Sequence, residues 1–228
     1  MTIASDRSFP VGTDSMLLAQ FLTLPRQAKI ADFGSGCGTL GILLCAREGT
    51  CRVTGIELDE AAHNAALENI SRNGLSGRLT SLHGDVRRIR ELLPTNSFDC
   101  VISNPPYFPP GSGKVSQTNA MARSEASLPL EELCRGAAYL LPTGGRFALV
   151  HRPERLCDLM FFLRTAGIEP KRIQFVRHRP GAPVCLVLLE GRRGGKPGLK
   201  YEPDFTEFHE DGTPTGEYRA VYHEGATL

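Results

Sequence analysis

The apolar run 28–33 (AKIADF) breaks into Gly34-Ser-Gly36-Cys-Gly38, and a helical pattern resumes at Thr39 (TLGILLCAR). A buried strand, a glycine turn and a helix in direct succession admit few folds. The strand must join a sheet, the helix must return over one of its faces, and the turn lies at the sheet's carboxyl edge. Glycines there let a ligand approach the backbone closely. A dinucleotide fingerprint wants Gly or Ala five residues after the first glycine, but Thr39 stands there. No Gly-Lys-Ser/Thr follows either, which excludes a Walker-type phosphate loop. The cradle is spaced Gly-x-Gly-x-Gly instead.

The rest of the chain repeats the alternation. Strands are predicted at 51–57, 79–83, 98–103, 146–151, 171–177 and 184–190, and helices at 59–73, 86–92, 128–141 and 154–166. Asp59 is the predicted N-cap of the 59–73 helix and Asn73-Gly74 its stop. Helices link the first five strands, whereas the last two join through the short turn RHRPGAP and should be antiparallel. The expected fold class is α/β: a doubly wound, mostly parallel seven-stranded sheet with the last strand antiparallel. One domain is expected over residues 1–228, with an N-terminal lead-in segment at 1–27, a substrate loop at 104–125 and an acidic tail at 201–228.

No apolar run approaches membrane-spanning length, and MTIASDRSFPVG lacks the basic-then-apolar pattern of a secretory signal. The seven cysteines are odd in number with no Cys-x-x-Cys, and the six histidines are scattered, so neither disulfides nor a metal site is expected. A cytoplasmic location follows as the expectation. Charge is unevenly spread: residues 151–200 carry 11 basic against 4 acidic side chains, and residues 201–228 carry one against seven. The basic segment suits a phosphate-binding face, or else a solvated surface balanced by the tail folding back.

Two further strand ends carry carboxylates. Glu57 lies 21 residues after Gly36, where a carboxylate can accept from both hydroxyls of a ribose; it also suits the N-terminal end of the following helix. Gly84-Asp85 ends the third strand at the same edge, in position to meet an adenine amino group. A glycine turn, Glu and Asp on three successive strand ends describe a nucleoside-binding edge.

In this order, DFGSGCGTLGI, GIELDE, HGDV and NPPY resemble class I S-adenosylmethionine-dependent methyltransferases of the NPPY type, across nearly the whole chain. The resemblance implies S-adenosyl-L-methionine as cofactor. It assigns Asp32, Gly34, Gly36 and Gly38 to the methionine portion, Glu57 to the ribose and Asp85 to the adenine. The stretches FPVGTDSMLLAQFL, 122–156 and RPGAPVCLVLLEGRRGG are similar to the bacterial tRNA(Val) adenine-N6-methyltransferase family, which implies Thr13 and Asp14 near the cofactor.

The fourth strand runs into Asn104-Pro105-Pro106-Tyr107. An exocyclic amine is a poor nucleophile because its lone pair is delocalised into the ring. The Asn104 side-chain oxygen and the Pro105 carbonyl can accept its two N–H groups, which favours the developing sp³ nitrogen over the planar ground state. The prolines fix φ and aim those oxygens, and Tyr107 offers a flat face to the substrate. The motif is shared by enzymes acting on adenine, on guanine N2 in ribosomal RNA and on protein glutamine N5. Glutamine methyltransferases carry a helical domain ahead of the sheet, and only about 27 residues precede the first strand here. The expected partner is therefore RNA, a tRNA anticodon-loop adenine first, with Pro106, Arg123, Arg146, Arg152, Arg177 and Arg179 as candidate contacts. An RNA-binding protein with a decayed methyltransferase fold is the non-enzymatic alternative.

Overall fold

A computed structural model describes residues 12–105 and 128–222. The described residues begin with helix α1 (Thr13–Phe21), then alternate β1 (Lys29–Phe33), α2 (Thr39–Arg47), β2 (Arg52–Glu57), α3 (Glu60–Arg72) and β3 (Leu79–His83). A 3-10 turn and the short α4 (Ile89–Leu92) lead to β4 (Cys100–Ser103). After the undescribed 106–127 come α5 (Leu130–Leu140), β5 (Arg146–His151), α6 (Leu156–Thr165) and the hairpin β6 (Ile168–Arg177) and β7 (Val184–Arg193). The chain closes with β8 (Lys200–Tyr201), β9 (Phe205–Thr206) and α7 (Gly216–Val221).

Among the described residues, nine strands form one sheet in the order β3-β2-β1-β4-β5-β7-β6-β8, with β9 also pairing with β6. Strands β1 to β5 are mutually parallel, and β7 runs antiparallel to both β5 and β6. The seven principal strands match the expected fold class. The sequence pattern missed β8, β9, α1 and α7. It also began the β6 strand late, because Pro170 lies within it beside a register irregularity.

Side chains alternate between two cores, as a sheet covered on both faces requires. Ile30, Cys100, Ile102, Ala148, Val150, Leu186 and Leu188 face α1, α2 and α7. Ala31, Phe33, Val101, Phe147, Leu149, Val187 and Leu189 face α5 and α6. Gly136 is small because α5 crosses close over the sheet: a Cβ there would lie 3.2 Å from the Phe33 ring.

Strand order fixes where a ligand can sit. From β1 the chain steps outward to β2 and β3, then returns to place β4 on the other side of β1. The crevice beyond the carboxyl ends of β1 and β4 is therefore the switch point, where ligands bind in open α/β sheets.

Candidate active site at the switch point

The glycine turn that leaves β1 is tied to β2. The N–H groups of Gly34 and Ser35 both donate to the Ile56 carbonyl, at 2.9 and 3.2 Å. Gly34, Gly36 and Gly38 have φ of +68°, +54° and +84°, a path that side-chain-bearing residues resist. Beneath the turn, the fully buried Asn69 of α3 donates Nδ2 to the Cys37 carbonyl at 3.0 Å. Asn69 had a signal in the sequence, a polar residue in the apolar stripe of its helix.

Glu57 braces the same turn. One carboxylate oxygen accepts from Gly36 N at 2.7 Å and the other from Asp59 N at 2.8 Å. Glu57 thus supports both the glycine turn and the helix start, and its half-buried carboxylate is held fixed by them.

Asp32, at the end of β1, is 1% exposed, and among the described residues neither carboxylate oxygen has a hydrogen-bond partner. Burial, with Glu57 nearby, pushes its pKa up to about 8. An orphaned buried carboxyl beside a glycine cradle is a socket for a cationic group. The amino-acid end of S-adenosylmethionine carries one, so the residues present fit that cofactor.

Asp85 lies just after β3, at the sheet edge where it was expected. It caps the 3-10 turn by accepting from Arg87 N at 2.9 Å, and Arg87 Nε reaches both its oxygens, at 3.0 and 2.8 Å. These contacts hold its carboxyl below the usual range. At that strand end its carboxylate is held in an ion pair with Arg87.

Across the crevice, Ser103 ends β4 fully buried and donates Oγ to the Phe33 carbonyl at 2.8 Å, which binds the ends of β4 and β1 together. Asn104 follows, half-buried, with Nδ2 donating to Ser15 Oγ of α1 at 3.0 Å; Pro105 is buried. Thr13 and Asp14 form the first turn of α1, and Thr13 Oγ1 lies 2.8 Å from the Tyr222 hydroxyl. Pro106, Tyr107 and Arg123 lie outside the described residues, as does most of the 104–125 loop.

The remaining arginines divide between the sheet's two edges. Arg152 follows β5 at the crevice edge and donates to the Cys185 carbonyl at 3.0 Å. Arg177 ends β6 at that edge in an ion pair with Asp204, 2.7 Å, and Arg179 lies in the adjoining exposed turn. Arg146 begins β5 at the opposite edge and pairs with the buried Glu190 at 3.2 Å. Among the described residues, no group of three His, Cys, Asp or Glu side chains could hold a metal ion, and no helix is long and apolar enough to cross a membrane.

Residues 5–160 match the model of the methyltransferase small domain family. A protein of Photobacterium profundum called tRNA1(Val) (adenine(37)-N6)-methyltransferase is 32% identical over 182 residues, covering 79% of this chain and 76% of the relative. A like-named protein of Porphyromonas gingivalis is 33% identical, covering 80% and 74%. Among solved structures, one described as a predicted O-methyltransferase of Agrobacterium tumefaciens superposes with a TM-score of 0.78 at 23% identity, covering 95% of this chain and 98% of its own. TrmN of Thermus thermophilus does so at 0.57 and 22%, covering 78% and 48%. At such identity these structures speak for the fold alone.

Proposed function

The chain belongs to the methyltransferase small domain family, and on that premise we propose that it methylates the N6 amine of adenine 37 in the anticodon loop of tRNA1(Val). The observation that carries this reading is the pairing at the switch point. Asp32 and the glycine turn stand on β1, and Asn104-Pro105 stand beside them on β4. The shared name of relatives that are about one-third identical supports the substrate.

S-adenosylmethionine supplies an electrophilic methyl group on a sulfonium. The chain's own groups do the rest. Asp32 meets the donor's ammonium, Glu57 its ribose hydroxyls, and the glycine turn leaves room for the backbone to close on it. With Nδ2 committed to Ser15, Asn104 turns Oδ1 to the other side, where it accepts from the adenine amine together with the Pro105 carbonyl. These acceptors draw the amine towards sp³ geometry and expose its lone pair, so they stabilise the transition state more than the ground state. The base must leave its stack to reach them. Arg152 and Arg179 at the crevice edge are the phosphate contacts this placement favours.

The test is transfer of labelled methyl groups to total tRNA, ribosomal RNA and release factors. Label should enter tRNA alone, and Asn104→Ala should lower turnover by about 10²–10³ while cofactor affinity stays the same. Label confined to protein would overturn the substrate, and near-normal turnover in the variant would overturn the role of Asn104.

A further inference from the structure

We infer that Ser15 is a positioning residue for Asn104, and that the C-terminal helix α7 braces the helix that carries it. The inference rests on Asn104 being the amine acceptor proposed above. β4 ends its ladder at Ser103, so the next side chain is no longer held by strand pairing. An Asn amide serves as acceptor only while its torsion keeps the oxygen in the working position. Here Nδ2 donates at 3.0 Å to a hydroxyl 89 residues away in sequence, on a helix with Ser15 only 9% exposed. A hydroxyl so buried cannot follow a wandering amide, so the contact contributes to fixing the amide's torsion, with Oδ1 on the side away from Nδ2.

A positioning group is only as well placed as its helix, and α1 is held at both ends. Arg47 of α2 donates Nη1 to the carbonyls of Ala19 and Leu22 at the C-terminal end, the second at 2.9 Å. At the N-terminal end, two residues before Ser15, Thr13 Oγ1 meets the Tyr222 hydroxyl at 2.8 Å. Tyr222 is itself packed: its ring lies 4.9 Å from that of Tyr218, which lies 5.0 Å from Phe208, and the adjacent Val221 is 2% exposed. Helix α7 thus braces α1, and α1 orients the residue that follows β4.

The experiment is a double-mutant cycle on turnover. Ser15→Ala should lower kcat about 5-fold, the scale of one lost hydrogen bond, with KM for S-adenosylmethionine unchanged. Ser15→Thr, which keeps the hydroxyl, should restore most of it. On the Asn104→Ala background, Ser15→Ala should change nothing further. Tyr222→Phe should lower kcat by a smaller factor and be equally silent on that background.

Equal losses on both backgrounds, or full kcat in Ser15→Ala, overturn the role of Ser15. Unchanged kcat in Tyr222→Phe overturns the brace. If Asn104→Ala itself turns over normally, the fault lies in the acceptor assignment instead. Thermal melting separates these outcomes from a general loss of fold, which would cost activity on both backgrounds.

Discussion

At Asp32 burial of the carboxyl group, with the charge of Glu57 nearby, raises the pKa to about 8. In the unfolded chain an aspartate titrates near pH 4, so between about pH 4 and pH 8 the folded protein holds a proton that the unfolded chain does not. Stability therefore falls as pH rises through that window. If Asp32 meets the cofactor's ammonium as proposed, binding ionises it, so cofactor binding should release a proton and tighten as pH rises towards 8. Asp32→Asn should flatten the decline of Tm between pH 5 and pH 8.5 in the ligand-free protein. The same variant should lose most of the stabilisation that S-adenosylhomocysteine gives at the upper end. Parallel melting curves for variant and wild type would remove Asp32 from this account. The candidate residues Asp32, the glycines, Glu57 and Asn104 were readable along the chain because they stand at the ends of β1, β2 and β4. Ser15 and Ser103 were not, because they are ordinary polar residues, and Asn69 showed only its place in an apolar stripe, not its partner. Their partners Asn104, Phe33 and Cys37 are 89, 70 and 32 positions away.

The β5, β6 and β7 strands show how an element absorbs charges that look like ligand contacts in a sequence. Glu190 is 1% exposed within β7 and accepts from Thr23 N at 2.7 Å, with Arg146 at 3.2 Å and Arg172 at 3.6 Å. Arg172 continues to the Phe21 carbonyl and Thr23 Oγ1 and lies over the Phe21 ring, so this cluster ties the sheet to the end of α1. Arg146→Ala should destabilise the protein by about 1–3 kcal/mol, since it leaves a buried carboxylate with fewer partners. KM for tRNA should stay within about twofold. A raised KM with an unchanged Tm would return Arg146 to the RNA surface. Principal strands and long helices were legible because their apolar spacing repeats over several residues. Helix α1 hides that spacing, since Ser15, Leu17, Leu18, Ala19 and Phe21 are all buried in nine residues. Strands β8 and β9 have two residues each, too few for any period to show.

Across the whole molecule, the basic block at 151–200 and the acidic tail meet. Glu202 pairs with Arg172 at 2.9 Å, Asp204 with Arg177 at 2.7 Å, and Glu207 with His178. The tail is also part of the fold: Phe205 is 7% exposed, Val221 is 2%, and both belong to the core that includes α1. Folding back and masking of cationic groups are therefore one arrangement, and two variants separate its parts. Asp204→Asn frees Arg177 at the crevice edge while leaving Phe205 in place. RNA binding should tighten about two- to threefold at low salt, and the slope of log affinity against log salt should steepen by about 0.7–0.9, the increment for one added phosphate contact. Removing residues 201–228 exposes apolar core as well as arginines, so its main effect should be a lower Tm, with RNA affinity gaining nothing that survives correction for unfolded protein. If truncation leaves Tm intact and tightens binding as much as Asp204→Asn does, the tail is a detachable electrostatic cover; if Asp204→Asn leaves the salt slope unchanged, Arg177 does not face the RNA.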